Sequence, residues 1–330
     1  AGVAADTSTD DDWEARDDAA SALSAAPFIA GRLPPVEDAW HDVPLDRLAA
    51  FLRNPCRFLL EKRLGLALRR DDEELQDDEP FVPDNSGRAP LIRLLLPALL
   101  EGATPEAART LALAGTAVPA GGFGMRFLER ELNGLHDFAQ QVREHGTQPA
   151  LPPHAVALDV VVDGQAWRVH AEFADLRSRG LLRHRYARRS SFDYLDAWLP
   201  HLMLCVDAPA GVLPVTTGIG RDGRFFLTEC AEPKAVLETL VRLYARGLRE
   251  PLAFFPRAAW EWINGDRHGP AKAIAAFRPG GFNEFAEGND AAYRLALRGR
   301  PDPFSAPVVD AFYANAAAVF EPLLACLEIE

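Results

Sequence analysis

An α/β fold with a mixed sheet, large helical insertions and a helical C-terminal part is predicted for this chain on three observations. Apolar residues recur at helical period through most of the stretch up to about residue 150. Short runs with β-branched or aromatic alternation then occupy about 151–230, punctuated by Asp-Gly turn signals and interrupted by one helix. Helical text with Gly and Pro breaks resumes and continues to residue 330. Helices, three strands, a helix, two strands and again helices is the order of an α/β core with additions.

The elements follow in sequence. Residues 1–24 carry seven carboxylates against Arg16, so 1–26 reads as a disordered acidic linker. Pro27 to Pro44 is proline-punctuated, with Trp40 as an anchor. Asp42–Leu68 reads as helical, with Leu45, Leu48, Phe51, Leu52, Phe58, Leu59 and Leu64 near helical period, a break at Pro55 and a stop at Gly65. The loop Asp71–Glu79 has seven carboxylates among nine residues. Helices are predicted around Leu91–Leu100, over Pro105–Leu113 and over Phe123–Glu144, the last entered through Pro119-Ala120-Gly121-Gly122. Strands are expected at Ala155–Val162, Trp167–Phe173 and Gly180–Tyr186, with Asp163-Gly164 turning the first hairpin. A helix follows over Ser191–Val206, then a strand pair, Gly211–Gly218 and Arg224–Cys230, around Asp222-Gly223, then an amphipathic helix over Glu232–Arg249. The organisation expected is therefore one domain over 27–330, with a helical part (27–150), an α/β core (151–250) and a helical tail (251–330).

Composition narrows the class. A hydrophobic share of 48% and a charged share of 25% are those of an ordinary globular protein. No apolar run approaches the roughly 20 residues of a membrane span, so no membrane association is expected. The opening Ala1-Gly2-Val3-Ala4 lacks Met and runs into acid, which argues against a secretory signal and for a processed chain or fragment. Cys56, Cys205, Cys230 and Cys326 are far apart in apolar contexts, and the histidines show no metal-ligand spacing. Reduced, buried thiols, a cytoplasmic location, and no metal or other cofactor are the expectations.

Against a net charge of −13, one segment stands out. Arg177, Arg179, Arg183, Arg185, Arg188 and Arg189 fall within thirteen residues that contain no carboxylate. Guanidinium is planar, permanently charged and matched to phosphate oxygens, so all six are candidate DNA contacts. The competing reading is a solvated strand and turn whose arginines pair with acidic neighbours.

The order of elements, with Leu45 to Gly65 (Leu-Asp-Arg-Leu-Ala-Ala-Phe-Leu-Arg-Asn-Pro-Cys-Arg-Phe-Leu-Leu-Glu-Lys-Arg-Leu-Gly), resembles the helicase-linked branch of the PD-(D/E)xK nuclease superfamily. In active members two carboxylates on adjacent strands hold Mg²⁺ and a lysine assists the attacking water. Laid on that pattern, the first carboxylate position falls at Ala174, and the Asp-x-Lys slot reads Arg183-x-Arg185. Cations standing where a metal would be held imply an inactivated nuclease-like core with no catalytic residues.

Further landmarks resemble the C-terminal domain of the RecC family, the gamma subunits of exodeoxyribonuclease V. They are Phe28 to Phe81 with its Arg53-Asn54-Pro55-Cys56-Arg57-Phe58 step, Val118-Pro119-Ala120-Gly121-Gly122-Phe123-Gly124, Trp198-Leu199-Pro200-His201-Leu202, and Phe254-Phe255-Pro256-Arg257-Ala258-Ala259-Trp260. The resemblance covers about 27–265. It implies a non-catalytic domain that contacts RecB-type and RecD-type subunits and guides DNA strands in an ATP-driven helicase and nuclease for double-strand break repair. No Gly-x-x-x-x-Gly-Lys-[Ser/Thr] occurs, in keeping with a domain that hydrolyses no nucleotide.

Two other functional readings stand beside it: an active metal nuclease with a migrated site at Glu172, Asp175 and Glu229, and a scaffold that touches only protein. Single residues carry paired readings as well. His201 is either near the old nuclease pocket or a core histidine bonded to a backbone carbonyl. Gly121-Gly122-x-Gly124 is either a phosphate cradle or a helix-entry turn. Trp260 and Trp262 read as core or interface anchors.

Overall fold

The computed structural model describes residues 26–68, 85–265, 268–278 and 286–330. The acidic linker, apart from residue 26, and the acidic loop Asp71–Glu79 with Glu79-Pro80-Phe81 lie outside them. The fold is mixed α/β, and contacts group the chain into two compact units. One takes 26–37, 50–68 and 242–317; the other takes 38–49, 85–241 and 318–330.

The second unit contains both sheets. In order come β1 (Asp42–Pro44), α1 (Leu45–Arg53, shared between the units' residue ranges), α2 (Asn85–Leu100), α3 (Pro105–Ala114) and α4 (Gly121–His145). Then follow β2 (His154–Val162), β3 (Gln165–Phe173), β4 (Leu181–His184), α5 (Ser191–Val206), β5 (Thr216–Gly220) and β6 (Gly223–Leu227). The three-stranded sheet has the order β1-β3-β2, with β2 and β3 antiparallel around Asp163-Gly164. Both turn residues have positive φ, 51° and 77°, as a tight two-residue hairpin requires. The four-stranded sheet runs β4-β5-β6-β7, where β7 is Leu327–Ile329. Its β4 and β5 are parallel, joined by the crossover helix α5, which touches β2, β3 and β5.

Two segments read as helix are strands. Asp42–Pro44, at the head of the helical span 42–68, pairs in parallel with β3, Val43 opposite Val169. Leu327–Ile329, at the end of the helical tail, pairs antiparallel with β6. Three-residue strands carry no periodicity of their own; their backbone groups follow a distant partner, and pairing overrides local propensity.

The face of the β4–β7 sheet away from α5 is partly covered by helices. Leu91, Leu95, Leu99, Phe127, Leu128, Leu135 and Phe138 of α2 and α4 form one core with Ile219 of β5 and Tyr186. Gly124 lets α4 start there. An added Cβ would lie 1.7 Å from the Pro119 carbonyl oxygen, so the glycine motif serves close helix entry.

The first unit is helical. Its elements include the turn Pro55–Phe58 with the π-turn Leu59–Arg63, the later part of α6 (Pro233–Gly247), α7 (Pro256–Asn264), α8 (Gly269–Phe277), α9 (Ala291–Ala296) and the first half of α10 (Val309–Cys326). Phe51, Phe58 and Tyr244 meet edge to face at 5.2 to 5.8 Å. Phe255 packs among Phe277, Tyr293, Phe304 and Phe312. Trp262 stacks on Tyr313 at 3.9 Å, as a core anchor would. Buried Glu287 accepts from the N–H groups of Arg257 and Ala258 at the start of α7, supplying the cap that Phe255 does not.

All four cysteines are free, with Cys56, Cys230 and Cys326 buried. No helix among the described residues is long and apolar enough to cross a membrane.

Candidate nucleic-acid interface

The arginine segment runs from the turn before β4 to the start of α5, and most of it is engaged within the unit. Arg177 donates from Nη1 to the carbonyls of Gly146 (3.0 Å) and Gln148, just past the end of α4. Arg183, on the edge strand β4, pairs with the Asp175 carboxylate and donates to its neighbour's carbonyl, Leu182 O, at 3.1 Å. Arg185, one residue beyond the strand, makes a two-pronged contact with both oxygens of Asp193. Arg189 donates to the Asp222 side chain and backbone and to the Arg224 carbonyl. Arg179 and Arg188 are exposed, and neither side chain has an ion pair or hydrogen bond among the described residues.

The sequence treated the six as equivalent, and the structure sorts them. Arg183 and Arg185, placed in phase on one strand, separate because β4 ends at His184, and each takes a carboxylate eight residues away. Glu172, weighed as a partner, is exposed and takes no part in either pair.

Asp193 is the residue of this segment that the arginine count misses. It is the N3 residue of α5 in a reciprocal capping box with Ser190, accepting from the Ser190 N–H at 2.8 Å and its hydroxyl at 2.7 Å. Burial works to raise its carboxyl, but the Arg185 and Ser190 hydrogen bonds outweigh that and hold it below its ordinary value. The Ser-x-x-Asp spacing was the available signal. His184, between the two arginines, is pushed down by burial and by the Arg183 charge.

At the positions aligned with a metal site stand exposed Ala174, the Arg183–Asp175 pair and the Arg185–Asp193 pair. Among the described residues no group of three or more His, Cys, Asp or Glu is placed to hold a metal ion, so Glu172, Asp175 and Glu229 do not form a migrated ligand set. His201 is fully buried in α5. Its Nε2 donates to the Thr228 carbonyl (2.9 Å) and its Nδ1 accepts from the Thr216 hydroxyl (3.1 Å), which is the core-histidine arrangement.

A mixed α/β domain with a basic segment ahead of its crossover helix is the class defined by fold and site. The chain belongs to the RecC C-terminal domain family, whose model matches residues 40–267. It is similar to the RecBCD enzyme subunit RecC of Escherichia coli (strain K12), with 26% identity over 223 residues, 67% of this chain and 19% of that protein. It is similar also to the RecBCD enzyme subunit RecC of Mycobacterium tuberculosis (strain H37Rv), with 26% identity over 272 residues, 80% of this chain and 24% of that protein. The chain thus spans about a fifth to a quarter of the length of these curated relatives.

Proposed function

We propose that this chain is a non-catalytic, nuclease-like domain of a RecC-type subunit, which contacts RecB-type and RecD-type partners and guides DNA strands in a helicase and nuclease complex for double-strand break repair. Family membership and the names of the relatives support the subunit assignment. The parallel β4–α5–β5 crossover beside a β-hairpin supports the nuclease-like ancestry.

The observation that carries the non-catalytic reading is the Arg183–Asp175 ion pair. A guanidinium already neutralises the carboxylate that a divalent ion would need. A second positive charge about 4 Å away meets roughly 4 kcal/mol of repulsion per unit charge at an effective dielectric of about 20. Arg185, aligned with the nuclease lysine, is held by Asp193 and has no proton to lose near neutral pH.

The test is digestion of linear duplex DNA by the purified chain with Mg²⁺ or Mn²⁺, alongside co-purification with RecB-type and RecD-type subunits. No cleavage and a stable complex are expected. Metal-dependent cleavage abolished by Asp175→Ala would overturn the non-catalytic reading, and failure to join the complex would overturn the subunit reading.

A further inference from the structure

We propose that a cavity on the uncovered end of the β4–β7 sheet seats one nucleotide of single-stranded DNA, with its phosphate on Arg177 and Arg179 and its base on Phe226. The proposal rests on the DNA-contact reading above and narrows it to one pocket and one strand form.

The cavity of about 360 Å³ arises because α4 stops short. Leu182 of β4, Thr217 of β5 and Phe226 of β6 are register partners across three strands, so their side chains share the sheet face opposite α5. Beside this row, Ile219 lies under the helical core, whereas Thr217 and Phe226 stay half-exposed. His145, the last residue of α4, stands at the cavity edge where the helix ends.

The walls are apolar and the rim is cationic. Leu213, 55% exposed, and Val215 form one side. The Phe226 ring has no aromatic neighbour among the described residues, so a π-face is available beside apolar walls. Such surfaces bind bases of any sequence by stacking.

Arg179 sits at the tip of a two-residue turn closed by mutual hydrogen bonds of Arg177 and Gly180, 3.1 and 2.9 Å. Gly180 (φ 95°) fixes that turn, since a Cβ there would lie 1.9 Å from the Val215 carbonyl oxygen. The Arg177 bonds to Gly146 and Gln148 use only Nη1, leaving Nε and Nη2 without a partner among the described residues. One guanidinium held in place, that of Arg177, and one on a fixed turn, that of Arg179, thus line the same cavity and are available to one phosphodiester.

Charge and size select the occupant. None of the lining residues is acidic, in a chain of net charge −13. His145 has both ring nitrogens engaged, Nδ1 with the Gln141 carbonyl and Nε2 with Arg224, so it stands as a fixed wall. The volume is at the lower end of the roughly 300–1,000 Å³ of small-ligand sites, room for one nucleotide and too little for a duplex. Glu328 continues the row past Phe226 without lining the cavity, which sets polarity: phosphate toward β4, base toward β6.

The test is fluorescence anisotropy of labelled oligo(dT) with the full chain across a salt series. Phe226→Leu keeps an apolar wall and removes the π-face. It is expected to weaken binding about five- to tenfold at unchanged salt slope. Leu213→Ala, at an exposed side chain, should weaken binding in the same direction. Arg179→Ala should weaken it and lower the salt slope by about 0.7, the share of one phosphate on a single strand. An oligo(dA)·oligo(dT) duplex should fail to displace the probe. Unchanged affinity in Phe226→Leu and Leu213→Ala would overturn the pocket. If Arg179→Ala and Arg188→Ala still weaken binding, the arginine face survives without it. If no variant matters, as with a pocket filled by a protein segment, pocket and DNA-contact reading fall together.

Discussion

Acidification should loosen the β4–β7 sheet from its crossover helix through one side chain, His201. Its Nδ1 accepts from the Thr216 hydroxyl and its Nε2–H donates to the Thr228 carbonyl, so the neutral ring is satisfied and a charged one would be buried without a counter-ion. Burial pushes its pKa down to about 4 from an ordinary 6.5, opposed in part by the Thr228 carbonyl. The unfolded chain therefore binds a proton that the folded chain refuses. Stability is present above pH 6.5 and is lost as pH falls toward 4. At 1.36 kcal/mol per pH unit, the gap between 6.5 and about 4 is about 3 kcal/mol, of which about 2 kcal/mol is lost between pH 7 and pH 5.

The variant is His201→Gln, whose amide can donate to Thr228 and accept from Thr216 but does not titrate in this range. Urea unfolding followed by tryptophan fluorescence suits the measurement, because Trp198 stacks on His201 at 5.7 Å. Glu287 works with the opposite sign. Burial raises its carboxyl to about 7 against the two N–H bonds, so its stability contribution is present below pH 4.5 and lost as pH rises through 7. That slope is common to wild type and variant and drops out of their difference. Wild type is expected to lose about 2 kcal/mol more than His201→Gln between pH 7 and pH 5. The same pH dependence in both proteins would refute the reasoning.

Other expectations follow from the same contacts. Asp193→Ala removes the α5 capping box and should cost about 1–2 kcal/mol in urea unfolding. By releasing Arg185 it should also strengthen oligo(dT) binding, so a loss of stability with weaker binding would count against the internal pairing described here. Burial pushes the thiols of Cys56 and Cys326 up to about 12 and that of Cys205 up to about 11. At pH 8 a disulfide reagent should react slowly with the native chain and with all four thiols once it is unfolded; rapid native reaction of Cys56 would contradict its burial.

Much of the α/β pattern was legible because local chemistry and tertiary pairing agree. Asp163-Gly164 fixes a hairpin wherever the strands lie, and Ser190 with Asp193 marks the start of α5. The strand expected over 211–218 starts later: Pro214 has no N–H to give a ladder, and pairing begins only at Thr216. Asp42–Pro44 and Leu327–Ile329 were invisible as strands because their partners lie more than 95 residues away. The arginine segment shows the same divide. Its charge is plain in the sequence, but the choice between phosphate and carboxylate partners depends on where β4 ends and which acids the fold brings near.

Asp193 also ties position 185 to the start of a helix. Replacing Arg185 with a carboxylate would set two anions side by side at the first turn of α5 and leave the capping oxygens in contention. Edits at position 185 are therefore epistatic with the crossover itself, because one carboxylate serves both the arginine and the start of the helix. Any residue that gives up the two-pronged contact at 185 leaves Asp193 with an unmatched charge, so the side chain at 185 and the first turn of α5 can change only together.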